Sequence, residues 1–227
     1  MVVDYTRLTA EERRRAILAA ARHEFASRGF RGARTAAIAT GAGCSEPTLY
    51  KHFPSKQALF AAVLRDATES MKEMVDALKV EAGDAMSGML AVAERATSDP
   101  LIIETIRLRT LAAGLVDDPQ VRAALTASVD EVRGRMAAHI AAGQAAGEIR
   151  ADIDPGNAAW ILYGYTLAGG HAHAVHGNAA LGEFVAVADT LCRMFRPNPA
   201  SPEETPGLTR TPTTSGGRCS PCASRCS

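Results

Sequence analysis

The sequence predicts an all-α fold, on three observations. Hydrophobic residues make up 47% of the 227 but aromatics only 5%, and alanine-rich runs dominate. That mix suits helices, because strands favour β-branched and aromatic side chains. A Ser, Thr, Asp or Asn precedes one apolar-periodic run after another, the mark of repeated helix N-termini. No stretch alternates apolar and polar residues between turn signals, as a half-buried strand would.

Each element follows in order. Thr9 and Glu12 have capping-box spacing. The helix behind them, "RRRAILAAARHEFASR", sets Ile17, Ala21 and Phe25 on one face. Gly29 stops it and Phe30 folds back onto that face. Thr35 is the expected N-cap of a short helix that ends at the Gly43 turn. Ser45 or Glu46 caps a second short helix with Pro47 in its first turn, and Pro54 ends it by His52. Ser55 caps a long helix with an inner stripe of Leu59, Val63, Ala67, Met71 and Met74. Further helices are expected from Asp84 to about Asp99, from Leu101 to Gly114, after Asp118-Pro119, after Asp154-Pro155 and after Asn178. From Pro197 to Ser227 the chain is rich in Pro, Ser, Thr and Gly, with almost nothing to bury, and disorder is expected.

The formal charge is zero but unevenly spread. Residues 1–65 hold eleven Lys and Arg against five Asp and Glu, a net +6; the remainder carries −6. A basic head on an acidic body suits contact with a polyanion through one end. No run of about 18 apolar residues offers a membrane span. The N-terminus lacks the apolar core of a signal peptide, so a cytoplasmic protein is expected. Five cysteines build no framework across the body. Cys219, Cys222 and Cys226 supply three thiolates where a structural zinc site takes four ligands, so no metal or other cofactor is expected. No serine in a strained glycine elbow, no glycine-rich phosphate loop and no HExxH pattern is present, which argues against an enzyme.

"CSEPTLYKHFPSK", residues 44–56, carries the chemistry. Two short helices joined by a glycine turn, the second polar outward, form a helix-turn-helix pattern over about residues 34–53. In that geometry the second helix presents its N-terminal residues to base edges in the major groove. Glu46, Pro47, Thr48 and Lys51 would then face bases, and Tyr50, His52 and Lys56 would hold phosphates. Thr35, at a helix start, would offer its hydroxyl and N–H to another phosphate. On this division Lys51→Ala relaxes specificity at one position, while Lys56→Ala weakens binding to all sequences alike.

Residues 11–71 resemble the DNA-binding domain of the tetracycline-repressor (TetR) family of transcriptional regulators. The resemblance rests on Ile17, Ala21, Phe25, Gly29, Phe30, Thr35, Ile38, Ala39, Ala42, Gly43, Ser45, Thr48, Leu49, Tyr50, His52, Phe53, Ser55, Lys56 and Leu59, in order and without gaps. Two residues depart from the family's usual pattern: Cys44 stands where valine is usual, and Gly41 where a polar helix former is usual.

The resemblance implies that residues 72–196 form a helical ligand-binding and dimerisation domain. It also implies a homodimer on a palindromic operator, most simply a repressor released by a small molecule. Apolar residues along the last helix agree, with Phe184, Val187, Leu191 and Met194 or Phe195 on one strip and Val185, Ala188 and Cys192 on another. The run Ala168-Gly169-Gly170 would let helices approach closely. Candidate lining residues for a mostly apolar ligand pocket are Met86, Met89, Arg107, Met136, His139, Trp160, Tyr163 and His171. Arg107 and Arg109 are expected to be solvated or paired with acids. The rival readings on the same scaffold are a redox or metal sensor using cysteines, and an activator.

Overall fold

The computed structural model describes residues 8–197. Among them are nine α-helices, a single 3₁₀ turn and no strand. In chain order they are α1 (Ala10–Gly32), α2 (Thr35–Gly41), α3 (Glu46–His52), α4 (Lys56–Ala82), α5 (Ala85–Ser98), α6 (Pro100–Ala113), α7 (Pro119–Ala145), α8 (Pro155–His176) and α9 (Leu181–Phe195), with the 3₁₀ turn at Gly177–Ala180.

The caps explain where most helices begin. Thr9 and Glu12 complete both bonds of the capping box. The side chains of Ser45, Ser55, Asp84, Asp99, Asp118 and Asp154 each accept a backbone N–H of the first turn behind them. Two expected starts are corrected. Arg34, not Thr35, occupies the cap of α2, and it makes no side-chain cap bond. Thr35 becomes the first helical residue, its hydroxyl engaged with Glu46 eleven positions on. Asn178 falls inside the 3₁₀ turn and does not cap α9. The register of α3 is resolved too: Ser45 is the cap and Pro47 the second helical residue.

Gly29 breaks α1 with φ 69° and ψ 171°. The break turns Phe30 back, so its ring stacks on Phe25 and meets Phe60 of α4 edge-on, with centroids 5.9 and 5.4 Å apart. Around them Ile17, Ala21, Ile38, Ala39, Leu49, Leu59 and Val63 are buried in one cluster. That cluster continues into Leu108 and Ala112 of α6 and Val121 of α7, so the N-terminal helices share a core with the body. A boundary at 71/72 falls within α4, which runs on unbroken.

A second cluster joins Ala85 and Met86 of α5, Ile140 of α7, Ala158 and Ala159 of α8, and Cys192 and Phe195 of α9. The small residues of α8 bring its neighbours in. A Cβ at Gly169 would overlap the Phe184 ring, and one at Gly170 would overlap Ile106. Phe184 also stacks on Tyr165 with centroids 4.1 Å apart. The close approach expected of this run is therefore made within the chain. Apart from Pro197, the tail expected to be disordered, with Cys219, Cys222 and Cys226, lies outside the described residues.

Candidate nucleic-acid interface and interior cavity

α3 is held at both ends and from beneath. Leu49 is fully buried under it and Phe53 closes its C-terminus against the core. Ser45 accepts the Thr48 N–H at its N-terminus, and their hydroxyls lie 2.9 Å apart. The preceding turn needs the left-handed backbone of Gly43, φ 63°. Arg13 of α1 fixes that turn by donating Nη1 to the carbonyls of Ala42 and Gly43 at 3.0 and 2.9 Å. Arg14 lies over the Phe53 ring at 4.5 Å.

This leaves one polar face of α3 turned outward. Pro47, Tyr50 and Lys51 are exposed, and Glu46, Thr48 and His52 half-buried. Three of the residues singled out form a chain: the Tyr50 hydroxyl donates to Thr35 Oγ1 at 3.4 Å, and Thr35 donates to the Glu46 carboxylate. The single hydroxyl proton of Thr35 is thus already committed. Lys56 is committed as well. Its ammonium donates to the Ala33 carbonyl at 2.6 Å and lies 5.0 Å above the Phe30 ring, and partial burial holds its pKa below the ordinary lysine range. His52 tilts against Phe53.

In the body a cavity of about 120 Å³ lies among α4–α9. Its walls are mostly apolar, with Met71, Met89, Ile102, Ile106, Met136, Leu162 and Leu191 among them. His139 lines it and pairs Nε2 with the Ala85 carbonyl at 3.0 Å. Cys192 lines it too, and burial raises its thiol pKa, which makes it a poor nucleophile.

Of the candidate ligand residues, Met89, Met136 and His139 border this cavity. Arg107 and His171 are exposed and Trp160 is 49% exposed on the outer side of α8, under the guanidinium of Arg133. Met86 and Tyr163 are buried but do not line it. Arg109 was expected to be solvated or acid-paired; it is 3% exposed and lines the cavity. Two positions along a helix turn a side chain by about 200°, which separates it from Arg107. Nε of Arg109 donates to Ser128 at 2.9 Å, Nη1 reaches only the Met71 sulfur at 3.8 Å, and Nη2 has no partner among the described residues. Burial pushes its pKa down to about 10, so it remains a cation at neutral pH.

Two family models match. "Bacterial regulatory proteins, tetR family" covers residues 17–63, the whole helix-turn-helix region, and "Tetracyclin repressor-like, C-terminal domain" covers residues 112–187. The chain belongs to the tetR family. TetR-family proteins are helix-turn-helix DNA-binding regulators of transcription. YdgC of Bacillus subtilis, an uncharacterised HTH-type transcriptional regulator, is 36% identical over 72 residues, 32% of this chain and 37% of that protein. The transcriptional activator FasR of Mycolicibacterium smegmatis is 43% identical over 65 residues, 29% of this chain and 30% of that protein. The chain thus spans about a third of the length of these curated relatives. For the fold, a transcriptional regulator from Saccharomonospora viridis, solved in complex with choline, superposes with a TM-score of 0.71. It is 22% identical, and the alignment covers 81% of this chain and 96% of that one.

Both departures from the usual TetR-family residues have physical settings. A Cβ at Gly41 would stand 3.3 Å from the Cβ of Ala20, so glycine lets α2 sit close on α1. Cys44 is half-buried and packs against the head core as a small apolar residue would. Among the described residues, no three His, Cys, Asp or Glu are grouped to hold a metal ion, and no helix is long and apolar enough to cross a membrane.

Proposed function

We propose that this chain is a ligand-responsive transcriptional regulator that binds a palindromic operator as a homodimer, acts as a repressor, and is released by a small molecule. It works in the cytoplasm and by binding alone, without catalysis. The observation that carries the reading is the outward polar face of α3, with Lys51 and Tyr50 exposed on a helix locked by Leu49, Ser45 and Arg13. A rigid helix of this size with an exposed lysine suits the major groove. On it Glu46, Pro47, Thr48 and Lys51 meet base edges, and Tyr50 and His52 meet phosphates. Thr35 and Lys56 mainly brace the head.

A dimer is supported by apolar side chains left in the open. Trp160 and Ile161 of α8 and Val187 and Met194 of α9 are between 47% and 63% exposed. Two helices presenting such a face suit a four-helix contact across a two-fold axis. The interior cavity supports a small-molecule effector, and the choline-bound neighbour is a case of this fold with an organic molecule. Effector binding would favour a head spacing that no longer matches the operator.

The test is an electrophoretic shift with the purified protein and its own upstream intergenic DNA, at varied salt and competitor. A discrete, salt-sensitive complex on a palindrome supports the reading. A complex that competitor DNA removes without preference at every salt concentration counts against it.

A further inference from the structure

Among the described residues, one charge on the cavity wall has no balancing partner. Arg109 borders the cavity, and no acid among the described residues lies within ion-pair distance of its guanidinium. The acid on the cavity wall, Glu131, is taken by Arg135, also on the wall, at 2.6 Å; Lys72, a further cation there, is paired with Glu69 at 2.7 Å. An unpaired guanidinium in an apolar interior is costly, and removing its partner from a buried pair is among the more destabilising changes known. A guanidinium also presents two parallel N–H donors matched to the two oxygens of a carboxylate.

We infer that Arg109 is the anchor for the effector, and that the effector is a small organic anion with one carboxylate on an apolar body. This rests on the reading of the body as a small-molecule sensor. Nη1 and Nη2 take the two oxygens, the first exchanging its weak bond to the Met71 sulfur for a charge-assisted one. One charge matches one charge; a phosphate dianion would bring a second charge, and the other wall cations, Lys72 and Arg135, are already paired with Glu69 and Glu131. The volume, about 120 Å³, is somewhat below the roughly 150 Å³ of an apolar cavity that admits benzene, so the body is a single ring or a short chain. The anchor is also connected. Ser128, which holds Nε of Arg109, shares a 2.7 Å hydrogen bond with Thr68 of α4, the helix that continues into the head.

The test uses the full chain and defined probes: benzoate and hexanoate, their neutral counterparts benzyl alcohol and 1-hexanol, and choline as a cation. Binding is read by calorimetry and by thermal shift, with potassium chloride as the ionic control. The acids should bind about tenfold or more tightly than the matching alcohols, the worth of a charge-assisted pair. Arg109→Met, which keeps the volume and removes the charge, should abolish that preference while leaving alcohol binding intact; Arg109→Lys should retain part of it. Circular dichroism checks that each variant folds, and the acid-to-alcohol ratio on the unaltered chain needs no variant. Equal binding of acids and alcohols, binding of alcohols or choline alone, no binding of either acid, or an acid preference that survives Arg109→Met overturns the assignment. Operator release is measured separately. Acids that bind without loosening DNA leave the anion site standing and defeat the release model; release by neutral compounds alone does the reverse.

Discussion

The Thr35 hydroxyl, on the first residue of α2, donates its proton to the Glu46 carboxylate, on the first residue of α3. With Tyr50 donating to the same hydroxyl, the starts of both helices of the motif are tied together. A carboxylate therefore sits on the face that would meet DNA. Glu46→Ala should raise affinity for non-specific DNA by a factor of about five, the worth of one close like-charge contact in water, and lower discrimination between operator and competitor. Competition binding at two salt concentrations reads both effects. Unchanged non-specific affinity would mean that Glu46 lies away from the DNA.

Lys51 and Lys56 should separate cleanly. Lys51 is exposed on α3, and Lys51→Ala should relax preference at one operator position with little change in melting temperature. The Lys56 ammonium satisfies the Ala33 carbonyl, so Lys56→Ala should cost about 1 kcal/mol of stability. That corresponds to a Tm lower by roughly 2–4 °C for a chain of this size. A melt of each variant, with binding to a panel of single-base operator changes, decides whether Lys56 is mainly a brace.

Acid should loosen the helix starts. Hydrogen bonds from the Thr9 backbone and hydroxyl hold the Glu12 carboxyl below its usual range, and bonds from Ser87 do the same for Asp84 at the cap of α5. A carboxyl with a depressed folded pKa stabilises at pH values above its unfolded pKa. That contribution is lost as pH falls through the folded value. Thermal melts from pH 7 to pH 3 should therefore decline less steeply for Asp84→Asn, which keeps a capping oxygen but cannot titrate. An identical decline would place the acid sensitivity elsewhere.

Ile161→Glu and Met194→Glu alter residues that are 54% and 63% exposed. Surface changes of this kind leave a monomer's stability within about 0.5 kcal/mol. In a dimer built on α8 and α9 each would bury a charge. Light scattering should then show a monomer, and operator affinity should fall about 100-fold or more as half-sites are bound singly. Retained dimers would move the interface away from these helices.

The helix starts were legible because capping is local. Ser45, Ser55, Asp84, Asp118 and Asp154 each act within three residues of themselves. Thr35 misled because its hydroxyl answers to a residue eleven positions away. The head core could be traced through Ile17, Ala21 and Phe25, whose spacing repeats every four residues. The cavity could not. Arg109 looks like a solvated helix arginine until Met71 and Ser128, brought in from α4 and α7, close around it. Nor does a sequence distinguish Arg107 from Arg109 without the direction in which α6 is turned. The apolar strip of α9 was visible, but its division into inward Ala188 and Cys192 and outward Val187 and Met194 follows from where α5 packs.

α4 gives the molecule a lever arm. Its 27 residues form one uninterrupted helix, a rod of about 40 Å. It starts beneath the head and borders the cavity with Thr68 and Met71. Pivoting such a rod by about 10° at Thr68, about 18 Å from its start at Lys56, sweeps that end through about 3 Å, close to one base-pair step along DNA. An adjustment around the cavity no larger than a side-chain rearrangement would thus be geared up, at the reading end, to the spacing between neighbouring letters of the operator.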